Sequence, residues 1–255
     1  MATKNFDFNP EYYDLQVDWK KRFEKEKDFY DGIFSRTKIS SVLDIGCGTG
    51  HHAEFFAGYA DRVVAVDPDQ DMIDYAGKNV IKSSKVTIYR AGFEELDSLP
   101  EGKFDLITSL GNTIAILGDK RKIKQALKKI KSRLSENGIV LLQFLNFSSK
   151  VIEDNNYYQP KVFEKDGNTF IFIKHFQYGR QKTRVDFIIT ELKNNKVKDF
   201  YVNSTYLATL KTGAFKSMAR NSGFKEIELL GPGGKIAFEP SKHISLYALL
   251  SREEK

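Results

Sequence analysis

The sequence predicts an α/β fold: a doubly wound, mostly parallel seven-stranded sheet with an antiparallel β insertion after the fifth strand. Three observations predict it. Short apolar, β-branched runs alternate with amphipathic stretches as far as residue 145. A glycine-rich turn follows the first of these runs. Beyond residue 150 the pattern changes to strands separated by Asp-Gly and Asn-Asn signals.

In chain order, residues 17–34 carry helical spacing of apolar positions. Strand 39–45, helix 50–58, strand 62–66, helix 69–80 and strand 85–90 follow. Strand 104–109, a basic helix over 119–134 and strand 139–145, entered through Asn137-Gly138, complete the parallel part. Residues 162–163, 170–176, 184–192 and 197–207 read as strands divided by Asp166-Gly167-Asn168, Tyr178-Gly179-Arg180 and Asn194-Asn195. Helix 212–221 and strands 226–230 and 244–250 return to the main sheet. The division expected is a core of 1–150 and 211–255 with an inserted β unit of 151–210, serving as a lid or as an interface.

The 255 residues, 41% of them hydrophobic, suffice for one enzyme-sized core. The formal charge of +6 raises the question of nucleic acid. Its densest source is 119–134, where Lys120, Arg121, Lys122, Lys124, Lys128, Lys129, Lys131 and Arg133 are interleaved with Ile123, Leu127, Ile130 and Leu134. That spacing describes a helix packed on a sheet with a solvated outer face, without aromatic residues for base stacking. Nucleic acid is therefore not the expected partner. The single Cys47 cannot form an internal disulfide, and the four His show no metal-ligand spacing, so no metal is expected. Strand-sized apolar runs and a polar 1–10 segment suggest neither a membrane span nor a signal peptide, hence a cytoplasmic protein.

The chemistry centres on Val42-Leu43-Asp44-Ile45-Gly46-Cys47-Gly48-Thr49-Gly50. Glycines after a strand let the chain turn sharply and bring backbone N–H groups close to a ligand. The spacing is G-x-G-x-G rather than the dinucleotide G-x-G-x-x-G, and no Lys-Ser/Thr pair follows. Asp44, just before the glycines, would repel a pyrophosphate, so the ligand should not be a phosphate. The second apolar run ends at Asp67, about twenty residues on, where an acid can accept hydrogen bonds from both hydroxyls of a ribose. The competing explanation, a glycine-rich turn in an unrelated α/β protein, leaves Asp67 unexplained.

On these residues the chain resembles the class I S-adenosylmethionine-dependent methyltransferases, whose first motif is an acid followed by G-x-G-x-G. The resemblance implies their Rossmann-like fold and S-adenosylmethionine as cofactor. Ser109-Leu110-Gly111-Asn112-Thr113 is similar to the segment after the fourth strand of glycine N-methyltransferases, and Ala91-Gly92-Phe93 matches their adenine-side segment. Asp166-Gly167, Tyr206-Leu207-Ala208-Thr209-Leu210 and Gly231-Pro232-Gly233-Gly234 look more like amino-sugar N,N-dimethyltransferases. Both groups methylate amines.

The resemblance implies that Asp44 and the turn Gly46, Cys47, Gly48 and Gly50 surround the methionine moiety, and that Asp67 holds the ribose. Pro68 and Met72 would line the adenosine, Gly92 and Phe93 would contact adenine, and Leu110 with Asn112 would close the floor. Arg22 would face the cofactor carboxylate, which a guanidinium fits well, or remain an exposed helix charge. Tyr12 and Tyr13 would cover the site or staple the helix. His51 and His52 read as first-turn helix residues rather than bases. Two departures bear on the acceptor. Leu145-Asn146-Phe147 stands where glycine enzymes carry an arginine that clamps the acceptor carboxylate, and Ile116 stands where they often place a histidine. Glycine is thus not the expected acceptor.

The expected activity is methyl transfer to a small-molecule acceptor, an amine by preference, with Tyr12, Asn112, Asn146 and Tyr206 as acceptor-side candidates. No catalytic residue is assigned, because in-line displacement from a sulfonium needs alignment rather than a covalent nucleophile. An RNA methyltransferase and a non-catalytic cofactor-binding protein are the alternatives, and association into a homo-oligomer stays open.

Overall fold

The computed structural model describes residues 9–36, 38–100, 102–148 and 159–252. Helix α1 (Pro10–Leu15) and helix α2 (Trp19–Arg36) precede strand β1 (Ser41–Ile45). Then come α3 (His51–Phe56), β2 (Arg62–Asp67), α4 (Gln70–Tyr75), β3 (Val86–Arg90), β4 (Phe104–Ser109), α5 (Thr113–Ile116), α6 (Lys120–Arg133) and β5 (Leu134–Leu145). Strands β6 (Lys161–Lys165), β7 (Asn168–Gln177), β8 (Lys182–Lys193) and β9 (Lys196–Ala208) follow, and α7 (Thr212–Asn221), β10 (Glu226–Leu230) and β11 (Ser245–Ser251) close the chain.

Strands β1 to β5, β10 and β11 form one seven-stranded sheet in the order β10-β11-β5-β4-β1-β2-β3. All neighbours are parallel except β11, which runs antiparallel to both β5 and β10. The alternation of side chains in β1 explains the layering. Leu43 and Ile45 point to the face covered by Ile123, Leu127 and Ile130 of α6 and by Phe215 of α7. Val42 points to the other face, where Tyr30 and Ile33 of α2 and Phe56 of α3 cover it. Parallel strands buried on both sides need such near-continuous apolar runs. The order reverses between β1 and β4, so a crevice opens beyond their C-terminal ends.

The second sheet is antiparallel, in the order β6-β7-β8-β9. Two of its hairpins turn through residues with positive φ, Asp166-Gly167 (51° and 75°) and Asn194-Asn195 (51° and 58°). These are the residue types that adopt the left-handed region at least cost, which is what a tight two-residue hairpin requires. The predicted boundary at 150/151 lies outside the described residues.

Several elements differ from the expectations, the short helix α5 among them. Helix α1 was not foreseen, although Asn9 caps it by accepting the Glu11 N–H and Pro10 opens it; the predicted helix 17–34 becomes α2, shifted toward the C-terminus. The predicted helix 69–80 is α4 followed by a wide π turn over Ala76–Val80, in which the Ile81 N–H reaches the Ala76 carbonyl at 2.9 Å. Strand β5 begins before Asn137-Gly138, because Leu134 already pairs with Phe104 ahead of a register shift. Among the described residues no helix is long and apolar enough to cross a membrane.

Candidate functional site

Gly46, Gly48 and Gly50 all adopt positive φ, at 71°, 54° and 84°. Gly46 is the tightest: a Cβ there would stand 2.1 Å from Thr113 Cγ2. A Cβ at Gly48 would meet only Tyr13 Cε1, at 3.8 Å, so Tyr13 lies directly over the turn. The Gly48 N–H donates to Asp67 Oδ2 and the Asp69 N–H to Asp67 Oδ1, both at 2.9 Å. Asp67 thereby ties the end of β2 to the turn after β1. Each of its oxygens keeps acceptor capacity for a further donor.

Asp44 is 2% exposed, and its Oδ1 accepts the Thr108 hydroxyl at 2.7 Å. Burial pushes its carboxyl up to about 6, and the neighbouring Asp67 adds to the rise while Thr108 and Arg22 oppose it. Burial also pushes Asp67 up to about 6, against the backbone donors of Asp69 and Gly48. Two carboxyl groups thus stand at the β1 and β2 ends with little solvent to support their charge.

Arg22 of α2 reaches the same place from above. Its Nε lies 3.3 Å from the Glu26 carboxylate and its Nη2 donates to Gln143 Oε1 at 3.3 Å. Gln143 Oε1 also accepts the Gly111 N–H at 3.0 Å, so one amide oxygen joins Arg22 to the loop after β4. Glu26 accepts the hydroxyls of Tyr30 at 3.0 Å and of Tyr247 at 2.8 Å. Burial works against the Glu26 charge, yet the His52 ring, the Arg22 guanidinium and the Tyr247 hydroxyl hold its carboxyl down at about 2. His52 itself is pushed down to about 4, chiefly by burial, and is neutral near pH 7.

Several of these groups border a cavity of about 1280 Å³. Tyr13, Arg22, Gly46, Gly48 and Asp67 line one part of it, and Pro68, Met72, Gly92 and Phe93 continue that wall. Asn112 lines it too, with φ at 74° and its Oδ1 accepting the Leu145 N–H at 2.7 Å. The second sheet supplies the opposite wall through Lys161, Lys174, Phe176, Val185, Phe187 and Leu207.

Several predicted residues lie elsewhere. Asp44, Cys47, Gly50 and Leu110 stand behind the lining; Gly50 serves as the N-cap position of α3, and a Cβ there would come within 3.0 Å of Ala76 and Ile81. Burial pushes the Cys47 thiol well up, so it is a thiol rather than a thiolate. Tyr12 packs on the second sheet, 5.9 Å from the Phe170 ring and 5.1 Å from Tyr201. Asn146 is fully buried and its amide is spent on the backbone, donating to Pro240 and His243 carbonyls and accepting the Ser148 N–H. Tyr206 is 54% exposed, because Thr205 and Leu207 on either side of it face the cavity and strand alternation turns it outward. Of the acceptor-side candidates, Asn112 alone lines the cavity. Residues not foreseen include Glu26, Gln143 and Lys174. For Lys174 a signal existed: it is the lysine at an inward-facing position of the apolar run Phe170-Ile171-Phe172-Ile173-Lys174-His175-Phe176.

Comparison with known proteins gives this site its class. A family model described as a methyltransferase domain matches residues 42–138, from β1 into β5. The glycine/sarcosine N-methyltransferase of Parasynechococcus marenigrum is 29% identical over 226 residues, covering 86% of this chain and 75% of that protein. A dTDP-3-amino-3,4,6-trideoxy-alpha-D-glucopyranose N,N-dimethyltransferase of Streptomyces venezuelae is 25% identical over 215 residues, covering 83% and 87%. Among solved structures, Streptomyces venezuelae DesVI superposes with a TM-score of 0.79 at 19% identity, over 97% of this chain and 100% of that one. The chain is a class I S-adenosylmethionine-dependent methyltransferase, and S-adenosylmethionine is its cofactor. It groups with the glycine/sarcosine N-methyltransferases and the amino-sugar N,N-dimethyltransferases.

Proposed function

We propose that the enzyme transfers a methyl group to the nitrogen of a small-molecule amine. The observation that carries this reading is the cavity itself: the crevice beyond β1, β2 and β4 is faced by one side of the antiparallel sheet, an enclosure suited to a small acceptor. The relatives support it, since their names specify glycine, sarcosine and an amino sugar. Lys122 of α6, which lines the cavity, faces Glu94 at 3.7 Å, and Lys129 of the same helix pairs with Asp97 at 2.9 Å.

The cradle fits the cofactor. A turn whose cavity-lining Gly46 and Gly48 carry no Cβ, a carboxylate with spare acceptor sites and a neighbouring guanidinium match a group bearing ribose hydroxyls, an ammonium and a carboxylate. In this reading Asp67 accepts the ribose hydroxyls, Arg22 meets the carboxylate, and Met72, Pro68, Gly92 and Phe93 hold the adenine. Asp44 acts from behind the turn as a buried negative charge. Tyr13 covers the turn. S-adenosylmethionine supplies a methyl group on a positively charged sulfur, open to displacement by a lone pair.

The residues of the chain need only align that lone pair and keep water out. Phe144, Phe176, Val185, Phe187 and Leu207 present apolar surface there. Apolar surroundings disfavour an ammonium and favour the neutral amine that can attack. The cations Arg22, Lys161 and Lys174 act in the same direction. The test is radiolabelled transfer from S-adenosylmethionine into a small-amine pool and, separately, total RNA. Label in small amines supports the reading, whereas label confined to RNA overturns it.

A further inference from the structure

The wall that the second sheet contributes carries a charge that the methyl-donor side does not explain. Lys161 lies opposite Phe172, so it is the diagonal neighbour of Lys174 on the face that also bears Phe176 and Phe187. Both lysines line the cavity. Lys174 Nζ stands 5.1 Å from the centroid of the Phe187 ring, and among the described residues it enters no ion pair or hydrogen bond. Lys161 Nζ donates to the Gln16 carbonyl at 3.1 Å, which leaves two of its three donors to spare. Burial pushes Lys174 down to about 8, and the charges of Lys161 and Arg22 push it the same way; among the described residues no carboxylate counters them. Burial likewise lowers Lys161, with Arg22 adding to it.

Two like charges held on one sheet face beside apolar rings cost the free protein stability. Such a cost is offset when an anion arrives. The anion cannot come from the nearby carboxylates already named: Glu26 is committed to Arg22 and two tyrosines, and Asp67 to the turn. Leu145, at the position where a charged clamp is missing from the sequence, lines the same cavity and brings no charge.

We propose that Lys174 and Lys161 form an oxyanion subsite on the acceptor side of the cavity, so that the acceptor is an amine that also carries a carboxylate or a phosphate. This rests on the amine-acceptor reading and refines it. The subsite places the anionic end of the acceptor against the second sheet. The rest of the acceptor then faces the donor side.

The test uses the full chain saturated with S-adenosylhomocysteine and titrated in a calorimeter with inorganic phosphate and, separately, with acetate. The complex should bind at least one of them, phosphate preferentially if the acceptor is phosphorylated and acetate if it is a carboxylate. Lys174→Met, which keeps the length of the stem, and Lys161→Gln should each weaken that binding by about tenfold to a hundredfold, the loss of one charge-assisted hydrogen bond. S-adenosylhomocysteine affinity should be unchanged in both. Binding of neither anion, or equal binding by wild type and variants, overturns the subsite. So does a parallel fall in S-adenosylhomocysteine affinity, which would mean that the lysines hold the carboxylate of the cofactor. Should Lys174→Met not fold, Lys161→Gln carries the test alone. Failure of the anion titration with cofactor binding intact removes the subsite only, while label found only in RNA removes the amine reading itself.

Discussion

Cofactor binding should release protons near pH 6, and the size of the effect follows from the two buried carboxyl groups. In the free protein burial lifts Asp67 and Asp44 to about 6 from an ordinary 3.8. Between those values the folded chain holds a proton that the unfolded chain has lost. Each carboxyl therefore costs the free protein stability as pH rises through the window, at most about 3 kcal/mol. Ribose hydroxyls and an ammonium favour the ionised form, so binding pulls both groups back down. For one carboxyl at about 6 that is ionised in the complex, affinity at pH 5 should be about tenfold weaker than at pH 7; for both, up to about a hundredfold. Calorimetry with S-adenosylhomocysteine across this range, repeated at pH 6 in two buffers of different ionisation heat, measures the slope and the proton count. Asp67→Asn should weaken binding and reduce the slope to that of the remaining carboxyl. An affinity flat across the range, with no proton released at pH 6, would refute the placement of Asp67 against the ligand and of Asp44 behind the turn that holds it.

Other perturbations separate the parts of the site. Gly46→Ala forces a side chain into a positive-φ position with Thr113 Cγ2 2.1 Å away, and should abolish S-adenosylhomocysteine binding; Gly48→Ala, facing only Tyr13 at 3.8 Å, should be the milder of the two in the same titration. Glu26→Gln leaves Arg22 without its counter-charge and should cost about 2–3 kcal/mol, lowering the melting temperature by roughly 5–10 °C. Because Glu26 is held down at about 2, its contribution is present above its ordinary 4.5 and fades as pH falls through 2, so the gap between wild type and Glu26→Gln should close in acid melts. Asn112→Ala loses the bond to the Leu145 N–H while keeping a positive φ, and should loosen the floor enough to weaken S-adenosylhomocysteine binding by about tenfold.

What the sequence made legible follows from how local each cause is. The turn after β1 announces itself because positive φ at Gly46, Gly48 and Gly50 demands glycine, and Asp67 because an acid ends an apolar run. The hairpins of the second sheet were legible for the same reason, at Asp166-Gly167 and Asn194-Asn195. Asn146 and Tyr206 were misplaced through different physics. A buried amide is consumed by whatever backbone lies nearest, here the Pro240 and His243 carbonyls far along the chain, which no spacing reveals. Tyr206 turned on strand parity, where a shift of one residue exchanges inside and outside. Glu26 and Gln143 draw part of their role from partners distant in sequence, Tyr247 for Glu26 and Gly111 for Gln143, and Lys174 meets Phe187 only across the β7–β8 ladder. The wide turn at Ala76–Val80 left no mark in the periodicity.

The two walls of the cavity come from separate sheets of the chain. Residues bordering the glycine turn sit on loops whose shape is dictated by the parallel sheet, and almost any change there disturbs the backbone. Residues on the other wall alternate along three hairpin-linked strands, with Lys174 and Phe176 on β7, Val185 and Phe187 on β8, and Thr205 and Leu207 on β9. Every second position on those strands can be exchanged without altering a ladder hydrogen bond. If the second sheet holds the acceptor, as proposed, acceptor range can be redesigned by repainting one face of that sheet while the opposite wall is left intact.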